Sequence, residues 1–528
     1  MTMQLGLKFE VCALAAALTA MPACGDSGTG ATDAETTSPT NPTTPTTPGT
    51  ETATPTTGSG ADTDTGGSAS NSASNATTGG DPTTGIAATG DGESTAGVGE
   101  VSSGEDTGFK FDLMPETSGG ETGDPPPPMK GSCRPSEIHG AAGGFPDYTD
   151  PNYAAFLDKS IAIVTTNAQE PPFNHVLHIV DISGPVPQPN LNYAAPKYRN
   201  PGWTQANIGK VFGLTLDSDG NIYVAATTVY GANPTPSVIK KIDAKTAAVS
   251  TFATLPNNGP AFGNLNYDCI SESIYVSSHE DGRVYQLDMM GQVISTYRHS
   301  DKTVSMGPPN DPGEPNGQFT PLGDTRVWAV QSHAGRLYYS VWKEDTGRQS
   351  ADSNEIWSVG YVDEGGVPDP TTAKLEFLAP AYLGQAYSNP VSDLSFAATG
   401  WMLISQRTMF SDNGTTAHQS TTYEYQYNNG TWELKGTTFI VGELPGSAAG
   451  GVDHDFAENG YVWMTGDALD FYTPDVVYGL QGTPHAGGDI KVSTLIDMDD
   501  ELFDQDKTEQ GDVEVPIPGD AMPVPPPQ

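Results

Sequence analysis

Short apolar strands separated by polar turns recur through the middle of the chain. Two stretches show the repeating unit clearly, one reading GLTLDSDGNIYVAATTVYG from Gly213 and the other GNLNYDCISESIYVSS from Gly263. Each has an apolar strand, a polar turn, a strand rich in Ile, Val and Tyr, and then two further strands. Turn dipeptides such as Asp219-Gly220 and Asn429-Gly430 accept the positive φ of tight hairpins. The pattern therefore predicts four-stranded antiparallel units.

The unit recurs six times when its second strands are aligned. The central apolar residues of those strands are Ile161, Ile222, Ile274, Leu337, Met402 and Val462. Six such units predict an all-β fold, a six-bladed β-propeller, in which radial stacking protects the edges of the sheets. A pair of β-sandwiches is the alternative, but it would not explain the recurring turn followed by an Ile-Tyr-Val strand.

The chain begins with a segment of different character. Val11 to Met21 form an apolar run of signal-peptide length that is too short to span a bilayer. The run ends in Pro22-Ala23-Cys24, which resembles the lipobox of bacterial lipoproteins, although Met21 stands where Leu is usual. This resemblance covers residues 1–24 and implies a lipidated Cys24, with the membrane as a partner and an exported outer-membrane or cell-surface location. A plain secretory signal is the alternative.

Composition divides the rest of the chain. Residues 25–131 are mostly Thr, Ser, Gly, Pro, Ala and Asp, which predicts a long disordered stalk because such a segment cannot bury enough apolar surface. Aromatic residues and strand patterns begin near Cys133, so we assign residues 132–510 to the propeller domain. Residues 511–528 are rich in Pro, and we expect them to form a disordered tail that does not pair in a sheet.

Net charge limits the binding partners of the chain, and cysteine content limits its disulfides. The net charge of −42 argues against nucleic acid, whose phosphates would be repelled. If Cys24 carries lipid, Cys133 and Cys269 remain as a pair in an oxidising compartment, which favours a disulfide between them. Two unpaired thiols are the alternative.

The repeats also resemble a known superfamily. The segments GLTLDSDGNIYVA with IKKIDAKT, and LNYDCISESIYVS with RVYQLD, are similar to the NHL-type and gluconolactonase-like repeats of TolB-like six-bladed propellers. The resemblance covers roughly residues 155–500. It implies the architecture but does not choose a function, because the superfamily includes calcium-dependent lactonases and esterases as well as modules that only bind.

Candidate site residues follow from the propeller arrangement. Loops that lead into the innermost strands and loops between the second and third strands are expected to share one face around the central channel. The candidates for ligand binding on these loops are Asn264, His279, Glu280, Arg326, Asp393, Asp453 and Asp467. Carboxylates and amides in such a ring suit Ca²⁺, which prefers oxygen ligands. Solvated polar residues at loop tips are the alternative.

Two functions are consistent with these features. The first is a membrane-anchored, exported binding module for an unidentified ligand or partner, with Trp203, Trp342, Tyr382 and Tyr387 as exposed contact aromatics. The second is a calcium-dependent hydrolase of the lactonase or esterase type. A quinone-dependent dehydrogenase is a third, disfavoured by the irregular repeats.

Overall fold

The structure, a computed structural model, describes most of the region that the sequence assigns to the propeller. The described residues are 144–167, 174–184, 192–344, 352–381, 387–397, 400–443, 446–456, 460–470, 476–502 and 507–516. The predicted signal segment with Cys24, the predicted stalk and Cys133 therefore lie outside the described residues. None of the described helices is long and apolar enough to cross a membrane.

The described elements are almost all strands. The first half contains β1 (Ile161–Asn167), β2 (Leu177–Asp181), β3 (Asn192–Tyr193), β4 (Lys197–Tyr198), β5 (Val211–Leu216), β6 (Ile222–Ala226), β7 (Val238–Ile242), β8 (Val249–Thr254), β9 (Phe262–Asp268), β10 (Ser273–Ser278), β11 (Arg283–Asp288), β12 (Val293–Arg298), β13 (Thr303–Met306) and β14 (Val327–His333). The second half contains β15 (Arg336–Val341), β16 (Glu355–Gly360), β17 (Lys374–Leu378), β18 (Val391–Phe396), β19 (Met402–Gln406), β20 (Met409–Ser411), β21 (Gly414–Thr415), β22 (Thr422–Asn428), β23 (Thr431–Phe439), β24 (Ala448–His454), β25 (Tyr461–Gly466), β26 (Gly479–Pro484), β27 (Thr494–Asp497) and β28 (Glu509–Glu514). The helical elements are one short α-helix, α1 (Gln205–Ile208), and three 3-10 helices, Pro151–Phe156, Pro370–Thr372 and Ile490–Val492.

Apart from the separate hairpin β20-β21, these strands form six blades, antiparallel except where β3 pairs in parallel with β27, which confirms the predicted six-bladed propeller. From the innermost strand outward, blade 1 is β28-β1-β2-β4, blade 2 is β5-β6-β7-β8, and blade 3 is β9-β10-β11-β12-β13. Blade 4 is β14-β15-β16-β17, blade 5 is β18-β19-β22-β23, and blade 6 is β24-β25-β26-β27-β3. Each innermost strand contacts the next, and β24 contacts β28, so the ring is closed.

The C-terminal strand closes the ring. Strand β28 pairs with β1 through Glu514 opposite Ile163 and Val513 opposite Val164, and so supplies the innermost strand of blade 1. The predicted domain end at residue 510 is therefore wrong, because residues 511–514 of the expected tail are part of this strand. The prolines that suggested a tail begin only at Pro516. Residues 517–528 lie outside the described residues.

The core lies between neighbouring blades. All six residues predicted as centres of second strands lie in the second strand of a blade and are buried, namely Ile161, Ile222, Ile274, Leu337, Met402 and Val462. Their blades pack through clusters of Ile, Val, Leu and aromatic side chains. Apolar burial of this kind stabilises the ring without any helix layer.

The turns between first and second strands follow the sequence prediction. In blade 2 the carboxylate of Asp217 accepts hydrogen bonds from the backbone nitrogens of Asp219 (3.0 Å) and Asn221 (2.9 Å). Gly220 at the tip has φ +81°, a conformation that favours glycine. The Asp217–Asn221 segment is thus a strand-connecting turn.

An aromatic cluster packs the segment before β1 against blades 1 and 2. Tyr148, Tyr153, Tyr198 and Trp203 contact one another with ring centroids 4.7–5.7 Å apart. The Trp203 indole nitrogen donates to the carbonyl of Ala247 at 3.1 Å. The prediction that Trp203 is an exposed contact aromatic is therefore wrong, because this cluster buries it completely.

Candidate functional site

The seven predicted site residues are all buried, contrary to the alternative of solvated loop tips. Asn264, Asp393 and Asp453 lie inside innermost strands rather than in the loops before them, because those strands begin earlier than the pattern suggested. His279, Glu280 and Asp467 follow second strands, and Arg326 precedes β14, as expected. The structure does not gather the seven into one ring. It separates them into a channel group, an ion pair and a loop group.

The channel group centres on three side chains that converge from alternate blades. The Asn264 amide nitrogen of blade 3 donates to Asp393 Oδ1 of blade 5 at 3.1 Å. The carboxyl group of Asp512 of blade 1 lies next to both of these side chains. The intervening blades 2 and 6 contribute Gly213 and Gly451, which lie against Asn264 and Asp512. A Cβ on Gly213 would lie 2.4 Å from Asn264 Oδ1, so small residues on alternate blades make room for the polar group.

A second pair of acids is formed by Asp453 of β24 and Glu514 of β28. Asp453 Oδ1 accepts hydrogen bonds from Ser395 Oγ (2.6 Å) and its Oδ2 accepts one from the backbone nitrogen of Val515 (2.7 Å). The side chain of Glu514 is hydrogen-bonded to that of Asp453. The channel therefore holds two carboxyl pairs, Asp393 with Asp512 and Asp453 with Glu514.

Burial keeps protons on these pairs. It raises the pKa of Asp512 to about 7 and that of Asp453 to about 6. Burial, reinforced by the neighbouring carboxylates, raises the pKa of Asp393 and Glu514 well above the usual range. Two carboxyl groups in contact cannot both ionise easily, so each pair shares a proton at neutral pH.

The sequence prediction missed Asp512 and Glu514. Both lie in the segment that was assigned to the tail. A signal was present, because Gln510 to Val515 alternate polar and apolar residues in the manner of a strand. The neighbouring prolines outweighed that signal.

An aromatic plug covers the channel on its upper face, the face at which the innermost strands begin. Its members are Phe212, Val229, Tyr230, Trp328, Trp342 and Met409, all buried. Phe212 of blade 2 contacts Trp328 of blade 4 with centroids 5.5 Å apart. A Cβ on Gly450 of blade 6 would lie 3.2 Å from the Phe212 ring, so this ring reaches across the channel. Trp342, predicted as exposed, is instead part of the plug, Tyr387 is half-buried, and Tyr382 lies outside the described residues.

Asp467 belongs to a buried ion pair beside the plug. Its carboxylate lies 2.8 Å from the guanidinium of Arg407. Arg407 also donates to the carbonyls of Ala449 (2.8 Å) and Gln510 (2.9 Å), and Asp467 accepts from the backbone nitrogen of Gln510 (2.8 Å). Asp467 thus joins blades 5, 6 and 1, and each of its carboxylate oxygens has a protein partner.

The loop group borders a cleft of about 260 Å³ on the upper face. The cleft lies between the end of blade 3's second strand and the segment 298–325, and its lining is Glu280, Asp281, Arg298, Ser300, Glu314, Asn316, Phe319, Thr320, Pro321 and Thr325. Of the predicted residues, only Glu280 lines it directly. His279 lies behind Phe319, with ring centroids 6.1 Å apart, and the Arg326 guanidinium lies 5.0 Å from the same ring.

Glu280 holds one wall of the cleft in position. Its carboxylate accepts hydrogen bonds from the backbone nitrogens of Asn258 (2.6 Å) and Gly317 (2.5 Å), and so connects the segment 298–325 to blade 3. His279 is fully buried, and among the described residues neither of its ring nitrogens has a hydrogen-bond partner. Burial, with a smaller effect from Arg326, lowers the pKa of His279 to about 3, so the ring is neutral.

Two sets of described residues offer metal ligands. Among the described residues, His299, Asp324 and Glu355 form the one cluster of three His, Cys, Asp or Glu ligands, but the ammonium of Lys343 already lies 2.9 Å from both carboxylates. The channel offers Asn264, Asp393 and Asp512, whose oxygens suit Ca²⁺. Asp393 Oδ1 and Oδ2 each accept a backbone N–H at 2.8 Å, so an ion would compete with these bonds and with the shared proton.

Cys269 forms a disulfide in the structure. Its predicted partner, Cys133, lies outside the described residues.

Comparison with known proteins gives no family. No protein-family profile and no curated protein matches the chain. Solved structures similar to it include a nidogen–laminin complex (10% identity, TM-score 0.38, covering 68% of this chain and 98% of that chain). They also include the periplasmic gluconolactonase of Pseudomonas aeruginosa (11%, 0.38, 68% and 99%) and a putative 6-phosphogluconolactonase of Bacteroides uniformis (11%, 0.35, 63% and 81%). Similarity at this level transfers no ligand and no activity.

Proposed function

We propose that the protein is an exported binding module, tethered to a membrane through Cys24 and the 25–131 segment, whose ligand contacts the cleft on the upper face. The observation that carries this proposal is the contrast between the two polar sites. The cleft opens at the surface and presents an exposed carboxylate, that of Glu314, whereas the aromatic plug covers the channel acids on the same face. Binding sites of propellers sit on loops positioned by a rigid scaffold.

The second candidate is a calcium-dependent hydrolase centred on the channel. The convergence of Asn264, Asp393 and Asp512 favours it, because Ca²⁺ bound there would polarise a lactone or ester carbonyl. Substrate arriving at the upper face, however, would have to displace Phe212 and Trp328. Proton sharing between Asp393 and Asp512 already satisfies these acids without an ion.

An array experiment with an activity control tests the choice between the binding module and the calcium-dependent hydrolase. Full-length protein in detergent is applied to glycan and peptide arrays, and the Ser300→Trp variant, which fills the cleft from an exposed position, is compared with the wild type. The proposal predicts saturable binding that Ser300→Trp abolishes. It also predicts no hydrolysis of δ-gluconolactone or p-nitrophenyl acetate at millimolar CaCl₂. Calcium-dependent turnover that Asp393→Asn removes without unfolding the protein would establish the hydrolase instead.

The proposed membrane anchor at Cys24 has a separate test. Mass spectrometry of the amino-terminal peptide from membrane fractions should find acyl chains on Cys24, and Cys24→Ser should release the protein from the membrane. An unmodified Cys24, or a soluble wild-type protein, would remove the membrane anchor from the proposal.

A further inference from the structure

We propose that His454 and His485 form a binding site for a divalent transition-metal ion of the Zn²⁺ type on the lower face, the face at which the innermost strands end. Imidazole nitrogen is a preferred ligand of zinc, copper and nickel ions. The inference is independent of the proposed function, because the pair belongs to blade 6 and the cleft lies on the opposite face beside blade 3.

The fold places the two imidazole rings side by side. His454 is the last residue of β24 and pairs with Val462 of β25, which pairs in turn with Thr483 of β26. Residues paired across a sheet share one face, and so do residues two apart in a strand, so His485 lies on the same face as His454. The two ring centroids are 5.6 Å apart, and the ring planes are inclined at 68°.

The nitrogens of this pair are available for an ion. His454 is only 4% exposed, and its Nε2 is buried without a hydrogen-bond partner among the described residues. His485 is exposed, and the ring that it contacts within the described part of the chain is that of His454. A buried nitrogen without a partner costs free energy, and a bound ion would remove that cost.

A second histidine pair shows the satisfied arrangement. The ring centroids of His175 and His178 are 6.4 Å apart. However, His178 Nε2 lies 2.9 Å from Thr166 Oγ1, and its Nδ1 accepts a hydrogen bond from Arg199 Nε at 2.9 Å. Both nitrogens of His178 are therefore in use, and the guanidinium would repel a cation. This pair offers no site, in contrast to His454 and His485.

The ring separation fits a shared ion. Two imidazoles bound to one tetrahedral Zn²⁺ at about 2.0–2.1 Å have ring centroids roughly 5 Å apart. The observed separation of 5.6 Å is close to this value, so a small rotation of exposed His485 would bring both rings to bonding distance. Two imidazoles fill two of the four positions, and the exposure of His485 leaves the others open to water. We therefore expect a reversible site.

The charges around the pair also permit a cation. Lys435 is the basic side chain whose charge reaches His454. Its ammonium is neutralised by the carboxylate of Glu424 at 2.9 Å and lies 3.4 Å from the ring centroid of Trp401. Burial raises the pKa of Glu424, and Lys435 and His485 partly oppose that rise, so this carboxylate is close enough to attract an ion at the pair.

Calorimetric titration of EDTA-treated, dialysed full-length protein with ZnCl₂ and with CaCl₂ tests the inference. We expect one Zn²⁺ to bind and Ca²⁺ to give no comparable heat, because Ca²⁺ prefers oxygen ligands. His454→Gln and His485→Ala should each lose the Zn²⁺ binding. His175→Gln is the matched control, and Glu355→Gln removes a ligand of the other candidate cluster; neither should change it.

Each other outcome overturns the inference. Absence of Zn²⁺ binding, equal binding of Ca²⁺, or Zn²⁺ binding that survives in His485→Ala would show that the pair does not hold an ion. Loss of binding in Glu355→Gln would place the ion at His299 and Asp324 instead. Circular dichroism checks that each variant is folded. If His454→Gln does not fold, His485→Ala decides, since His485 is exposed and its removal should leave the fold intact.

Discussion

The guanidinium of Arg407 lies 2.8 Å from the carboxylate of Asp467, and both side chains are almost completely buried. Arg407 follows β19 in blade 5, and Asp467 follows β25 in blade 6. Through the backbone of Gln510, at the start of β28, both residues also hold blade 1. This pair therefore connects the three blades between which the ring closes.

Removing the Arg407 side chain should strongly destabilise the protein. Arg407→Met would leave Asp467 buried without its partner, which costs about 3–5 kcal/mol. Lys245→Met is the matched control, because Lys245 pairs with Asp147 at 2.6 Å on the surface, where such a pair contributes about 0–1 kcal/mol. Urea denaturation measures both, and a loss below about 1 kcal/mol in Arg407→Met would show that the pair does not hold the closure.

The channel acids should make a contribution to stability that falls as pH rises from about 4.5 to about 7. The pKa values of Asp512 and Asp453 are raised to about 7 and about 6, so in this window the folded state binds more protons than the unfolded state. Buried histidines act in the opposite sense in the same window, because burial lowers the pKa of His279 to about 3 and that of His333 to about 4, so the channel contribution is read from the difference between the wild type and Asp512→Asn. The slope of stability against pH in Asp512→Asn should therefore be more positive than in the wild type, by up to about 1.4 kcal/mol per pH unit.

Urea denaturation across that pH range checks the result. Identical slopes in the wild type and Asp512→Asn would mean that the channel acids are ionised in the folded state.

The alternation of large and small side chains in the channel has a direct test. Gly213→Ala places a methyl group 2.4 Å from Asn264 Oδ1 and 2.7 Å from its Cα, so we expect a loss of about 1–3 kcal/mol through overpacking. Gly365→Ala is the control, since its new methyl would meet only the flexible carboxylate of Asp363. Equal thermal stability of the two variants would contradict the convergence of Asn264, Asp393 and Asp512.

The position of the C-terminal boundary can be tested by truncation. A chain ending at Gln510 lacks most of β28 and should lose cooperative unfolding, because blade 1 then has no innermost strand. A chain ending at Pro516 keeps the strand and should melt within a few degrees of the full chain. Circular dichroism melting compares the two, and a cooperative transition in the shorter chain would show that β28 is dispensable.

The blades were predictable because their signal is local. Each second strand alternates or runs apolar over five to seven residues and follows a turn, as Ile222 and Val462 illustrate. The channel site was not predictable in full, because Asn264, Asp393 and Asp512 are more than a hundred residues apart and meet only when the ring closes. No local pattern encodes that meeting.

The cleft also could not be predicted in full from the sequence, but for a different reason. Glu280 was found because it follows a second strand, but Glu314 and Phe319 lie in an irregular segment whose path depends on backbone groups binding Glu280. A segment without periodicity gives no prediction of which side chains face a cavity.

Hydrogen–deuterium exchange of the full chain with and without a ligand identified on the glycan and peptide arrays tests the central claim most directly. If the cleft is the ligand site, exchange should slow in peptides covering 279–282 and 298–320 and stay unchanged in those covering 264–268 and 391–396. Protection of the innermost strands, with none in the cleft segments, would place the ligand in the channel and contradict the account.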